Sequence, residues 1–237
     1  MVWELYKSVL AELGVNDEVE ISFEEIGVPL TRGLGSSAAL LAAGAYAANA
    51  IYGKKLTDND LLKICTKIEG HPDNVAPALF GGLCVSLCDG DKAFLLKSAV
   101  SSDIKFTAII PEFKVNTKDA RKVLPASVPF KDAIFNSARC ALISKAFKDG
   151  DFDMIAEVTK DRLHQNYRKK LFKNAEEIEE IAYETGAKAF FVSGAGPTLL
   201  AVSDKEIADK LNERIKDKEN GWKAIGLEAD NEGTREI

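Results

Sequence analysis

The side chains best suited to chemistry fall in three short runs. The first is Val28-Pro-Leu-Thr-Arg-Gly-Leu-Gly-Ser-Ser-Ala-Ala-Leu40, a glycine-rich turn that feeds an alanine-rich segment. Gly33 and Gly35 allow a tight turn and a close backbone approach to a ligand, where a Cβ would collide. Ser36 and Ser37 then open a helix whose first amide N–H groups lack intrahelical partners. Those donors, with the positive end of the helix dipole, suit a phosphate, so a nucleotide's charged tail is the expected guest. The plainer reading is a helix that begins with a glycine turn and a serine cap. The P-loop pattern is absent, because no Lys follows the second Gly. Gly33-Leu-Gly-Ser-Ser-Ala38 satisfies the dinucleotide fingerprint GxGxxA, yet the charged, proline-broken Glu24-Glu-Ile-Gly-Val-Pro29 before it is no buried strand. A phosphate loop of another kind is expected.

The second run is Glu69-Gly-His-Pro-Asp-Asn74, which crowds Glu69, His71, Asp73 and Asn74 directly after an apolar helical pattern. A solvated loop would explain it. The alternative is a hard-cation ligand with hydrogen-bonding groups for a polar substrate. A carboxylate near phosphate suits magnesium, which keeps its waters and takes one or two protein carboxylates. The third run, Ser193-Gly-Ala-Gly-Pro-Thr198, lies between two apolar segments. It reads either as a hairpin turn or as a loop for close approach, and Gly-Ala-Gly-Pro favours the second. Arg121 and Arg168 are candidate anion clamps, since a guanidinium matches a carboxylate bidentately. Each alone would as readily form a surface ion pair.

Helices and strands must position these runs. Leu5, Val9, Leu10 and Leu13 recur at helical spacing and end at Gly14, while Val19-Glu-Ile-Ser-Phe23 alternates like a strand. The glycine-rich run opens a helix to about Tyr52, whose alanines allow close packing. Thr57 with Asp60 reads as a cap for a helix carrying Leu61, Ile64, Cys65 and Ile68 to Glu69. Pro72 is expected as the first residue of a short helix. Strands are expected at 80–87, 104–110, 187–193, 197–202 and 222–228, and helices at 131–148, 151–161, 175–185 and 205–216. This mixture indicates an α+β fold, with a change of unit near Lys97 to Asp103.

The 237 residues suffice for two small domains with a sizeable core. A net charge of −6 argues against a nucleic-acid face. Cys65, Cys84, Cys88 and Cys140 form no CxxC pair, and with only His71 and His164 beside them a zinc site is not expected. Cys84 and Cys88 fit small core residues in a reducing cytosol. The charged N-terminal residues lack a signal peptide's apolar core. Residues 33–53 carry no charge, but they are mostly Ala, Gly and Ser, which describes a packed helix better than a membrane span.

The three runs together resemble the GHMP small-molecule kinases. Pro29 to Ala39 is similar to the family's phosphate motif, and Ser193-Gly-Ala-Gly-Pro-Thr198 to its C-terminal motif. Glu69-Gly-His-Pro-Asp-Asn-Val-Ala-Pro-Ala78, with Phe80-Gly-Gly82, resembles the homoserine kinase branch in particular. The resemblance implies an enzyme that uses ATP to phosphorylate the hydroxyl of L-homoserine, a step of threonine biosynthesis. It implies a first domain of left-handed βαβ type, here incomplete, over residues 1–100. A ferredoxin-like second domain would follow over 101–237, with the active site in the cleft between them.

By the same resemblance, Pro29, Leu30, Arg32, Gly33, Leu34, Gly35, Ser36, Ser37 and Ala38 would hold ATP, and Ser37 and Glu69 would hold Mg2+. His71, Asp73, Asn74, Thr117, Arg121, Arg168, Gly194 and Gly196 would meet the substrate. Asp73, Asn74 and Arg121 would be catalytic, with Asp73 orienting the hydroxyl and no dedicated base. A cytoplasmic homodimer is expected, with no membrane or nucleic-acid partner. The family's opening Pro-x-x-x-Ala-Asn-Leu-Gly-Pro-Gly-Phe-Asp motif has no counterpart, so the chain reads as a fragment or a shortened homologue with several N-terminal strands missing. Another GHMP kinase, of mevalonate or sugar type, and a non-catalytic nucleotide-binding remnant are the alternatives.

Overall fold

The computed structural model describes residues 2–17, 19–23, 27–28, 32–90, 92–115 and 117–236. Contacts divide the chain into two units. Met1–Leu30, Gly35–Ala99 and Asp230–Ile237 form one, and Thr31–Leu34 with Val100–Ala229 the other.

The first unit contains α1 (Val2–Leu13), α2 (Ser36–Ile51), α3 (Asp58–Glu69), α4 (Val75–Phe80) and a hairpin of β1 (Leu83–Asp89) and β2 (Lys92–Ser98). Leu5, Tyr6, Val9 and Leu10 of α1 pack with Leu41, Ala42, Ala45 and Ala48 of α2. The small residues allow this approach: a Cβ on Gly44 would lie 3.1 Å from Val2. Thr57 and Asp60 form the expected capping box for α3, and Gly70 ends that helix in the left-handed region. β1 and β2 pair antiparallel from Leu83↔Ser98 to Asp89↔Lys92.

The chain's tail closes this unit. Gly82 N donates to Asp230 O at 2.7 Å and Thr234 N to Leu79 O at 3.1 Å. Thr234 Oγ1 donates to Ala78 O at 2.9 Å. Backbones touch there, since a Cβ on Gly81 would lie 2.5 Å from Gly233 N.

The second unit runs β3 (Lys105–Ile110), α5 (Thr117–Lys122), α6 (Phe130–Asp149), α7 (Phe152–Val158), α8 (Gln165–Arg168), α9 (Ala175–Thr185), β4 (Ala189–Val192), β5 (Leu199–Ser203), α10 (Ala208–Ile215) and β6 (Lys223–Leu227). Its sheet has the order β4-β5-β3-β6, every neighbouring pair antiparallel. Strands and helices in this succession make the β-α-β-β-α-β pattern of a ferredoxin-like domain. Ile109, Phe172, Ile178, Leu199, Leu211, Ile215 and Trp222 form its core. The fold class is therefore α+β, as the pattern of elements indicates.

Several local expectations change. Val19 to Phe23 alternates, but no strand forms there among the described residues; alternation marks a face, whereas a strand also needs a partner for its backbone groups. Phe80 ends α4 rather than starting a strand, because Gly81 (φ +70°) breaks the helix first. Pro72 precedes α4, and its carbonyl accepts from Ala76 N at 2.8 Å. Cys65 is buried, but Cys88 is exposed near the hairpin tip and so is no core residue.

Candidate functional site

Within the first unit, the mouth of α2 is built as the glycine spacing suggests. Gly35 lies in the left-handed region (φ 69°, ψ 21°), and its residue provides no side-chain cap. Gly35 O accepts from Ala39 N at 3.0 Å, so the amides of Ser36, Ser37 and Ala38 precede the first intrahelical bond. No acidic residue stands in the first turn. Ser37 Oγ does not cap the helix; it donates to Glu69 Oε2 at 2.8 Å. That bond brings the end of α3 to the start of α2, two positions far apart in the chain.

The 71–74 segment gathers at the same helices. His71 Nδ1 stands 2.7 Å from Asp73 Oδ1. The same oxygen accepts from Asn74 N at 2.9 Å, so Asp73 folds back on its own turn. A Cβ on Gly35 would lie 3.5 Å from Asn74 Oδ1. Val75, Ala76 and Leu79 anchor α4 in the core below these polar groups.

Ser37 and Glu69 offer hard oxygen donors, the kind magnesium prefers. Among the described residues no cluster of three or more His, Cys, Asp or Glu could hold a metal. A cation here would take one carboxylate, a hydroxyl, and oxygens from a ligand or water, which is ordinary for magnesium.

Within the second unit, the 193–198 loop does both things that sequence weighed as alternatives. It joins the paired strands β4 and β5 (Val192↔Leu199), and it grips the start of the glycine-rich run. Ser193 Oγ donates to Gly33 O at 2.7 Å, and Thr198 N donates to Arg32 O at 3.2 Å. A Cβ on Gly33 (φ +85°) would meet Ser193 O at 2.7 Å and Gly196 O at 2.8 Å, so only glycine fits. Arg32 Nη1 donates to Pro111 O.

Arg168 ties this loop to α5. Its Nη1 donates to Gly194 O at 2.7 Å and its Nε to Ala120 O at 3.4 Å, beside Arg121. Burial first, then the nearby Arg121 charge, weaken its hold on its proton against the pull of Asp161. Two guanidiniums within electrostatic range give this corner a positive character. Sequence spacing cannot show that convergence, because forty-odd residues separate them.

The glycine-rich run is thus divided between units, with Gly33 and Leu34 in the second and Gly35 to Ala38 in the first. Pro29 and Leu30 lie outside the described residues. Thr117 starts α5.

Sequence reasoning gave Asp161, His164 and Gln165 no role in the site. The Asp161 side chain is 5 % exposed. Its Oδ2 accepts from the amides of Leu163, His164 and Gln165 at 3.1, 2.7 and 2.7 Å. Its Oδ1 accepts from Asn136 Nδ2 at 2.7 Å. Burial alone would raise this carboxyl, but these bonds outweigh it and hold it below the usual carboxylate range. Gln165 Oε1 accepts from Val192 N at 3.0 Å, fixing α8 to the strand that leads into the 193–198 loop. The available signal was the run Asp161-Arg-Leu-His-Gln165, an acid placed to bond the next helix's free amides.

Comparison with known proteins shows the family to which this chain belongs. The family GHMP kinases N terminal domain matches residues 1–82, and GHMP kinases C terminal matches residues 143–220. A homoserine kinase of Clostridium beijerinckii is 44% identical over 218 residues, covering 91% of this chain and 73% of that protein. A homoserine kinase of Caldicellulosiruptor saccharolyticus is 42% identical over 87% of this chain and 68% of the relative. The crystal structure of a homoserine kinase from Cytophaga hutchinsonii superposes with a TM-score of 0.87 at 27% identity, covering 98% of this chain and 76% of that one. With both family domains present and such relatives along most of its length, the chain belongs to the GHMP kinase family, where the relatives it resembles in sequence are homoserine kinases.

Proposed function

We propose that this chain transfers the terminal phosphoryl group of ATP to the side-chain hydroxyl of homoserine, giving ADP and O-phosphohomoserine. The new bond joins the hydroxyl oxygen to the γ-phosphorus; the bond from that phosphorus to the β,γ-bridging oxygen breaks, the oxygen departs with ADP, and the hydroxyl proton passes to solvent. Such a transfer asks for positioning and neutralisation of charge rather than covalent catalysis. The observation that carries the reading is the mouth of α2, where the helix-opening amides, Ser37 Oγ and the Glu69 carboxylate meet.

The Gly33 to Ala38 run would receive the phosphates through its amides. Ser37 and Glu69 would hold Mg2+, which when bound offsets charge on the phosphate oxygens. His71 and Asn74 engage Asp73 Oδ1, which leaves Oδ2 to accept from the substrate hydroxyl and orient it. Arg121 and Arg168 would take the substrate carboxylate, with Gly194 and Gly196 shaping the loop that Arg168 holds. Relatives named homoserine kinase support the substrate. A cytoplasmic homodimer goes with the family resemblance, and the exposed free thiols of Cys88 and Cys140 fit a reducing compartment. Among the described residues no helix is long and apolar enough to cross a membrane.

A coupled assay for ADP release across homoserine, mevalonate and galactose tests the proposal. Homoserine alone should give a signal. Release with mevalonate and not homoserine, or ATP binding without turnover on any acceptor, would contradict it.

A further inference from the structure

His164 stands directly before α8 with its ring half-buried, between a carboxylate and the arginine that reaches Gly194. Its Nε2 lies 3.6 Å from Asp161 Oδ1, and its Nδ1 lies 3.4 Å from Arg168 Nη1. A guanidinium has only donors, so Nδ1 can face it favourably only as the unprotonated, accepting nitrogen. The ring's single proton then sits on Nε2, toward Asp161. Asp161 is itself held by three backbone amides and Asn136, so the whole chain of contacts is anchored at its buried end.

The charged groups around the ring favour that state. Burial first, and then the Arg168 charge, push the His164 pKa down against the opposing pull of Asp161. Arg121 on α5 adds positive charge near Arg168. Asp132 on α6 is taken up by Arg162 at 3.3 Å.

We infer that His164 is a positioning residue for Arg168: the neutral imidazole, set beside the Asp161 carboxylate, orients the guanidinium that takes the substrate's carboxylate. The inference rests on the reading of Arg168 as the carboxylate clamp. Protonating the ring puts an N–H against the guanidinium, which breaks the acceptor contact and adds a like charge beside Arg121 and Arg168. Substrate affinity should then fall on the acid side, while the ATP half of the reaction is unaffected.

The test follows the KM for homoserine, the KM for ATP and kcat from about pH 8 to about pH 5.5, the range over which a histidine titrates. In the unaltered enzyme the homoserine KM should rise toward acid and the ATP KM should stay flat. His164→Leu removes the acceptor and should raise the homoserine KM about tenfold at neutral pH, the cost of a hydrogen bond to a charged group. The ATP KM should change less than about twofold. His164→Asn places a non-titrating acceptor near the Nδ1 position; it should keep the neutral-pH homoserine KM and lose its acid rise, and it decides the matter should the Leu variant not fold. Arg168→Met separates the two layers. If it leaves the homoserine KM unchanged, the clamp reading itself fails. If it raises that KM while His164→Leu does not, or while the Asn variant keeps the acid rise, the role of His164 alone is overturned.

Discussion

Ser37 Oγ donates a 2.8 Å hydrogen bond to Glu69 Oε2, joining the first turn of α2 to the last residue of α3. The bond places a full negative charge where helix amides leave a partial positive one, and the pair is the natural seat for a cation that accompanies phosphate. Glu69→Gln keeps an oxygen to accept from Ser37 and removes the charge. It should lower kcat/KM by about a hundredfold or more, comparable to losing one preorganised electrostatic group. It should also raise the magnesium concentration for half-maximal rate while far-UV circular dichroism stays unchanged. A magnesium titration of both proteins checks this, and an unchanged requirement would remove Glu69 from the metal site.

Gly33 sits at φ +85° with the Ser193 and Gly196 carbonyl oxygens where a side chain would go. Gly33→Ala must shift one of two backbones, so activity should fall and stability should drop by about 2 kcal/mol. Gly27→Ala, with nothing near its added Cβ, is the control and should be within about 0.5 kcal/mol of the parent. Urea denaturation beside the ADP assay compares them.

The knot of Gly81 and Gly233 separates two costs that are often merged. Gly53 (φ +85°) has open space around a new Cβ, whereas a Cβ on Gly81 (φ +70°) would lie 2.5 Å from Gly233 N. Gly53→Ala should therefore cost about 1 kcal/mol through backbone strain alone. Gly81→Ala should cost at least about 2 kcal/mol more, since the tail must lift from α4. Equal losses on thermal melting would show that the tail yields freely.

Much of the secondary structure was readable because its signals are local. Thr57 and Asp60 bracket a helix start, and Gly35, Gly70 and Gly150 mark helix ends by accepting positive φ. The 193–198 loop resisted a single reading because its second partner, Gly33, lies 160 positions away. For the same reason Arg121 and Arg168 looked like separate surface arginines, and nothing local announces that the tail returns to α4 at Thr234. Among the described residues no strand forms at Val19 to Phe23, because a strand also needs a partner edge, a quantity no pattern of alternation contains.

Asp161 ties stability to pH with a definite sign. Its folded pKa is held down, so its contribution is present above the unfolded value of about 4 and is lost as pH falls through the lower folded value. Asp161→Ala should cost about 3 kcal/mol near pH 7, because three amides and Asn136 lose their acceptor. The gap between the two proteins should narrow as pH drops below about 4. Denaturation midpoints that stay equally far apart in acid would show that the carboxylate's charge is not what holds this turn.

The most direct measurement is phosphorus NMR of the purified chain with ATP, magnesium and homoserine. A new phosphomonoester resonance that matches O-phosphohomoserine and grows in step with ADP is the predicted result, and Glu69→Gln should slow it. ADP forming without that resonance, or a phosphoester made from mevalonate and not from homoserine, would contradict the account.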